Sequence, residues 1–239
     1  MFRSSPPRTA PHQTTFSIGA VDPIHGIAGC ATASRYVAVG SLVLHAAAGA
    51  GVVITQSVAD RSHGRRGLPM LAEGQPPEQV LEAVLADDAR RALRQVAVVS
   101  ATGGVAHFSG NQCTPIVASY QDTGVVALGN MLASQEVPAA MVDAFHRVYY
   151  RPGPVSPQHR RAQAMAEALI AALRAGEAAG GDKRGKQAAG VLVTAAGAGY
   201  GGRDDRAVDL RVDDHAEPVA ELDRIFGVFV ENQQRELEK

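Results

Sequence analysis

Thr14 to Val21 alternates hydroxyl-bearing or small side chains with apolar ones, the period-two pattern of a half-buried strand. Asp22-Pro23-Ile24-His25-Gly26 follows as a turn, and Ile27 to Ser34 reads as a second strand of small residues. Small side chains there let another backbone, or a ligand, come close. No formally charged residue occurs from Tyr36 to Ile54, a run long enough to cross a bilayer. Its glycines at 40, 49 and 51 favour a buried strand–turn–strand instead, with Gly51 to Gln56 as the next strand. Asp60 to Gly67 reads as a charged loop between glycines. Pro76-Pro77-Glu78 opens a helix that the apolar positions carry through about residue 94. Val96–Ser100 and Val105–Phe108 form a hairpin, weaker strand signals follow Cys113, and a further strand spans Gly124–Leu128. Threes and fours among Val137, Met141, Phe145 and Val148 mark a helix over 136–149. An Arg151–Pro154 linker leads to a helix bearing Met165, Leu169 and Leu173, with Gly176 as its C-cap. Strands Ala188–Thr194 and Ala207–Val212 and a last helix from Glu217 complete the order. Clustered strands with helices in pairs predict an α+β fold with helices outside antiparallel sheets.

Composition narrows the picture. The 239 residues are 46% hydrophobic, enough for a sizeable core, and 20% charged with a formal net charge of −1. No basic stripe with interleaved aromatics occurs, which argues against nucleic acid as a partner. Cys30 and Cys113 make no disulfide framework and read as buried free thiols. Residues 1–14, rich in Ser, Pro, Thr and Arg, lack the apolar stretch of a secretory signal and read as a disordered leader. Residues 15–239 form the expected domain, with no membrane span and a cytoplasmic location. Phe226 and Phe229 on the terminal helix fit a homodimer contact and intramolecular packing equally.

The candidate chemistry begins at Thr15. A threonine at the start of a mature chain carries nucleophile and base together: its hydroxyl attacks and its α-amine, of pKa about 7.7–8.0, takes the proton. The Gly180–Gln187 stretch matches neither the Walker nor the dinucleotide glycine spacing and precedes a strand, so it points to no nucleotide cofactor. Adjacent residues on a strand face opposite ways, which argues against Asp213, Asp214 and His215 as a metal site.

Ordered blocks then point to a family. Thr15-Phe16-Ser17-Ile18, Ala33-Ser34-Arg35, Thr55-Gln56, Gly129-Asn130-Met131-Leu132, Gly180–Gly185 and Asp209–His215 together resemble an uncharacterised prokaryotic family, domain of unknown function family 1028. That family is placed in the N-terminal-nucleophile (Ntn) hydrolase superfamily. The resemblance implies a four-layer αββα sandwich of two antiparallel sheets flanked by helices; the reading that follows is an amidohydrolase acting on a small amide or peptide, neutral or anionic, without cofactor or metal. Thr15 would be the nucleophile and base. Asn130, at a strand end, would stabilise the oxyanion, or its amide would bond its own turn. Arg35, Gln56, Asp182, Arg184 and Gln187 would handle substrate, Arg35 needing a carboxylate partner in protein or ligand. In such relatives the threonine often follows the initiator Met, whereas residues 1–14 precede it here, so the mechanism requires their removal. The alternative is a non-catalytic binding or scaffold protein that keeps the leader.

Overall fold

The computed structural model describes residues 15–150 and 158–237. The leader and the Arg151–Pro154 linker therefore lie outside the described residues. The chain is mixed α+β, with two antiparallel sheets and, among the described residues, six α-helices. Strands β1 (Thr15–Asp22), β2 (Ile27–Ser34), β7 (Ala118–Asp122), β8 (Val125–Asn130), β9 (Ala188–Thr194) and β10 (Arg206–Val212) form one sheet, in the order β10-β9-β2-β1-β8-β7. Strands β3 (Leu44–Ala47), β4 (Gly51–Ser57), β5 (Arg94–Ser100) and β6 (Val105–Ser109) form the other in sequence order.

Alternation along β1 explains how the sheets stack. Phe16 and Ile18 point to one side, where they join Met141 and Phe145 of α4 (Val137–Tyr149) and Met165, Leu169 and Leu173 of α5 (Gln158–Ala178). Thr15, Ser17, Gly19 and Val21 point to the other side. There Val21 meets Val52 and Ile54 of β4 and Ala97 and Val99 of β5 in a core between the two sheets. The outer face of the smaller sheet buries Val53, Val96 and Val98 against Leu71 of α2 (Arg61–Ala72) and Val80, Val84 and Leu85 of α3 (Pro77–Leu85). A period of two thus feeds two different cores from one strand.

Four expectations need correction. The charged stretch after Asp60 is helix α2, not a loop: Asp60 caps it by accepting from the Ser62 N–H, and Gly64 lets the helix lie against the His45 ring. Tertiary packing here overrides the poor propensity of Gly64, Gly67 and Pro69. Helix α3 stops at Leu85, and a 3-10 turn at Arg91–Leu93 follows before β5, so Leu93 is not on its face. Gly176 does not end a helix. It sits inside α5, where an added Cβ would lie 2.8 Å from Met141 Cγ and crowd Phe16. The uncharged run holds, besides β3 and β4, a short α1 (Gly40–Val43). Among the described residues no helix is long and apolar enough to cross a membrane. Phe226 of α6 (Pro218–Leu237) belongs to the core and Phe229 packs against it, so intramolecular packing accounts for that aromatic pair. Both thiols are free and buried.

The far end of β1 is pinned to α4. Asp22 Oδ1 accepts from the Ile24 and His25 N–H groups, while its Oδ2 accepts from Tyr149 Oη at 2.6 Å and lies 2.9 Å from His25 Nδ1. Burial alone would raise the Asp22 carboxyl, but the bonds from Tyr149 and His25 outweigh it and hold it below its ordinary value. A Tyr149→Phe protein loses one hydrogen bond to a charged acceptor, and is expected to be less stable by about 1.5–3 kcal/mol in urea unfolding. An unchanged midpoint would show that water serves Asp22 as well as the phenol does.

Candidate active site

The start of β1 lies between the ends of its two neighbours. Thr15 pairs with Asn130 of β8, and Phe16 with Ala33 of β2, which sets Thr15 beside Ser34. Its Oγ1 is 3.5 Å from Ser34 Oγ. At this end the apolar layer between the sheets gives way to buried amides and hydroxyls. Gln56 of β4 and Gln95 of β5 are paired neighbours in the opposing sheet, both fully buried, reaching across the layer. Gln56 Nε2 donates to Gln95 Oε1 at 2.8 Å and to the Thr15 and Leu128 carbonyls at 3.3 Å, and its Oε1 accepts from Ser17 Oγ at 2.6 Å. Gln95 Nε2 donates to Ser109 Oγ and to the Gly129 carbonyl, both at 3.0 Å. Gln95 Oε1 also accepts from Asn130 Nδ2 at 3.0 Å. Each buried amide left unmatched would cost about 1–3 kcal/mol, so a network this complete fixes Thr15 and Asn130 in place.

Gln56, expected from the sequence to handle substrate, is bonded on all sides within the protein. Both ends of its amide are committed inside the protein, and it positions Thr15 instead. Gln95 was missed. Its signal was an amide on the same strand face as Ala97 and Val99, where an apolar residue is the rule. Asn130 keeps a second N–H on Nδ2 beyond the one given to Gln95, and bonds across the sheets rather than to its own turn.

A short segment bridges the two strand ends over the entry to β1. Asp182 Oδ2 accepts from the Arg35 N–H, just past β2, at 2.8 Å. The Lys183 N–H donates to the Met131 carbonyl, just past β8, at 3.2 Å. Asp182 and Arg184 pair with each other, with Arg184 Nη2 3.1 Å from Asp182 Oδ2, and the Arg184 N–H also donates to that carboxylate. Gly180, Gly181 and Gly185 all take positive φ, which lets the chain turn tightly there. Met131 adopts φ of 47°, strained for a side chain of its size, and its N–H is tied to the Thr114 carbonyl. Such strain concentrates at functional sites. On the helix-facing side of this segment, the side Phe16 takes, a cleft of about 140 Å³ is lined by Phe16, Ser34, Glu177, Gly181, Asp182 and Lys186; Thr15 and Asn130 do not line it.

Arg35 and Gln187 each bond to another part of the protein. Arg35 is exposed, and its guanidinium donates to the Arg184 carbonyl at 2.5 Å rather than to a carboxylate. Gln187 Nε2 donates to Asp214 Oδ1 at 3.1 Å, and its backbone N–H donates to the Ser34 carbonyl.

The model of a family of unknown function, DUF1028, matches residues 15–222. The chain belongs to DUF1028. The crystal structure of a Silicibacter pomeroyi protein assigned to the same family superposes with a TM-score of 0.74 at 30% identity, covering 90% of this chain and 88% of that one. No curated protein matches the chain. The stretch that this DUF1028 protein shares with its family begins at Thr15, the first residue of β1.

Among the described residues of this DUF1028 chain one group of metal-type ligands stands out. Asp60, His63 and Asp88 bring ligand atoms within 4.8 Å of one another. The Arg94 guanidinium already fills the space: Nε lies 2.6 Å from Asp88 Oδ2, and Nη2 3.0 Å from Asp88 Oδ1 and 3.4 Å from Asp60 Oδ2. His63 joins Thr55 Oγ1 at 3.2 Å to Asp88 Oδ2 at 3.3 Å. The guanidinium occupies the space a metal ion would need, and the group clamps α2 onto β4 and β5. His215 accepts from the Glu217 N–H through Nδ1, which ties it to the start of α6.

Proposed function

We propose that this DUF1028 protein is an Ntn hydrolase with the four-layer αββα architecture, cleaving an amide bond with Thr15 as nucleophile. One observation carries the reading. Thr15 opens an interior strand at the polar end of the inter-sheet layer, facing Asn130, where the family match also begins. An amide-bond hydrolase of this kind needs a hydroxyl, a base and an oxyanion donor; in this reading Thr15 gives the first two once residues 1–14 are removed, and Asn130 gives the third. The free α-amine of Thr15 takes the hydroxyl proton as Oγ1 attacks the carbonyl carbon. The second N–H of Asn130 Nδ2 receives the developing oxyanion. Collapse of the tetrahedral centre breaks the C–N bond, and the amine returns its proton to the leaving nitrogen. Water then attacks the ester on Thr15, with the same amine as base, and releases the acid. Gln56 and Gln95 hold both groups still and touch no substrate.

The amine is free only once residues 1–14 are gone. Intact-mass measurement of protein purified from its native host is expected to show a chain beginning at Thr15. Active protein found solely at full length would overturn the amine-base mechanism and favour the scaffold reading.

A further inference from the structure

We infer that the site selects substrates carrying a carboxylate near the scissile amide, held by Arg35 and Lys183; the inference rests on the Thr15 reading for its reaction. The bridge over β1 and the residue it ties down carry three cations, Arg35, Lys183 and Arg184, against one carboxylate, Asp182. Asp182 is saturated, accepting from the Arg35 N–H, the Arg184 N–H and the Arg184 guanidinium. Its negative charge is therefore matched by Arg184. Arg35 donates to the Arg184 carbonyl and Lys183 Nζ to the Pro115 carbonyl at 3.1 Å, both of them neutral dipoles. Among the described residues neither cation has a carboxylate partner. A carbonyl orients such a head group without cancelling its charge, and leaves two ammonium or several guanidinium donors for a ligand.

The rest of the same loop shows what compensation looks like. Lys186, three residues on, sits between Glu177 at 3.1 Å and Glu217 at 2.5 Å. Unbalanced charge is thus confined to the side of the loop that bridges Arg35 and Met131, flanking the residues next to Thr15 and Asn130 in the sheet. Two positive groups on the segments tied to the strand ends that flank Thr15 and Asn130 fit an anion that belongs to the substrate of the proposed reaction. For an amide or peptide this is a carboxylate. Arg35 would take it with its planar fork and Lys183 as a point charge.

The test separates binding from turnover. N-acetyl-alanylalanine and its C-terminal carboxamide are titrated by calorimetry into a Thr15→Ala chain starting at residue 15, which cannot turn them over by the mechanism above. The acid is expected to bind at least roughly ten-fold more tightly than the amide, with the advantage shrinking as salt rises. Arg35→Gln and Lys183→Gln, both at exposed positions, are each expected to cut the advantage several-fold, and the double variant to abolish it. Equal affinity for acid and amide overturns the inference, as does binding of neither, or binding of inorganic phosphate with no response to the acid. A carboxylate preference that survives in a protein shown to have no hydrolase activity would leave this recognition standing and sink only the reaction. Hydrolysis without charge preference would do the reverse.

Discussion

A chain beginning at Thr15 is expected to lose on the order of 10³-fold or more in kcat/KM toward amide substrates when Thr15 becomes alanine, because nucleophile and base positions act as a unit. Two companions isolate the atoms responsible. Thr15→Ser keeps hydroxyl and amine and retains measurable turnover. One extra residue in front of Thr15 keeps the hydroxyl but converts the amine to an amide, and is expected to be as inactive as the alanine form. The pH dependence follows from the same amine. It accepts a proton only when neutral, so activity climbs as pH rises through about 7.7–8.0. Asn130→Ala is the weaker variant, expected to lose about 10²–10³-fold through the missing oxyanion donor. Full activity of the alanine form, with unchanged pH dependence, would remove Thr15 from the chemistry and leave the buried amide network as a structural device.

The second large effect concerns stability. Arg94→Met is expected to cost about 3–5 kcal/mol in urea unfolding, since it leaves the nearly buried Asp88 without its cation. Converting Asp88 to Asn in the same chain should recover a good part of that loss, because removing both charges is far less harmful than removing one. Acid sensitivity comes from the same clamp. Burial would raise Asp88, but Arg94 outweighs it and leaves the carboxyl below its ordinary value. Burial pushes the His63 imidazole down, and Asp60 and Asp88 offset this only in part. A group lowered on folding stabilises fully above its unfolded pKa and loses that contribution as pH falls toward its folded value. The His63 contribution therefore fades from about pH 6.5 downward, and that of Asp88 from about pH 3.9. Stability that stays flat from pH 7 to pH 5 would show that His63 is not held neutral by the fold.

Much of the fold was legible because its signals are local. The alternation in β1 and β2, the threes and fours of α4 and the small-residue strand β9 each carry their periodicity within a few residues. Helix α2 was illegible for the opposite reason. Its glycines and proline oppose helix, and what stabilises it, the His45 ring and the walls of β4 and α3, lies elsewhere in the chain. The site divides the same way. Thr15, Asn130, Asp182 and Arg184 stand out in the motif blocks, and the strands bring them together. The roles of Gln56 and Gln95 depend on how one sheet is set over the other, which no window of sequence contains. Arg35 was read as needing a carboxylate because it follows an apolar strand. Its exposure depends on where β2 ends relative to the loop.

Because the 182–184 segment is held by the Asp182 carboxylate and by main-chain groups at Arg35, Met131 and Arg184, exchanging the side chain at 183 gives up only its bond to the Pro115 carbonyl. Position 183 is thus a dial separable from the scaffold. On the proposed reading, a glutamate there reverses the sign of the local field and favours cationic amides, while Thr15 and Asn130 stay as they are.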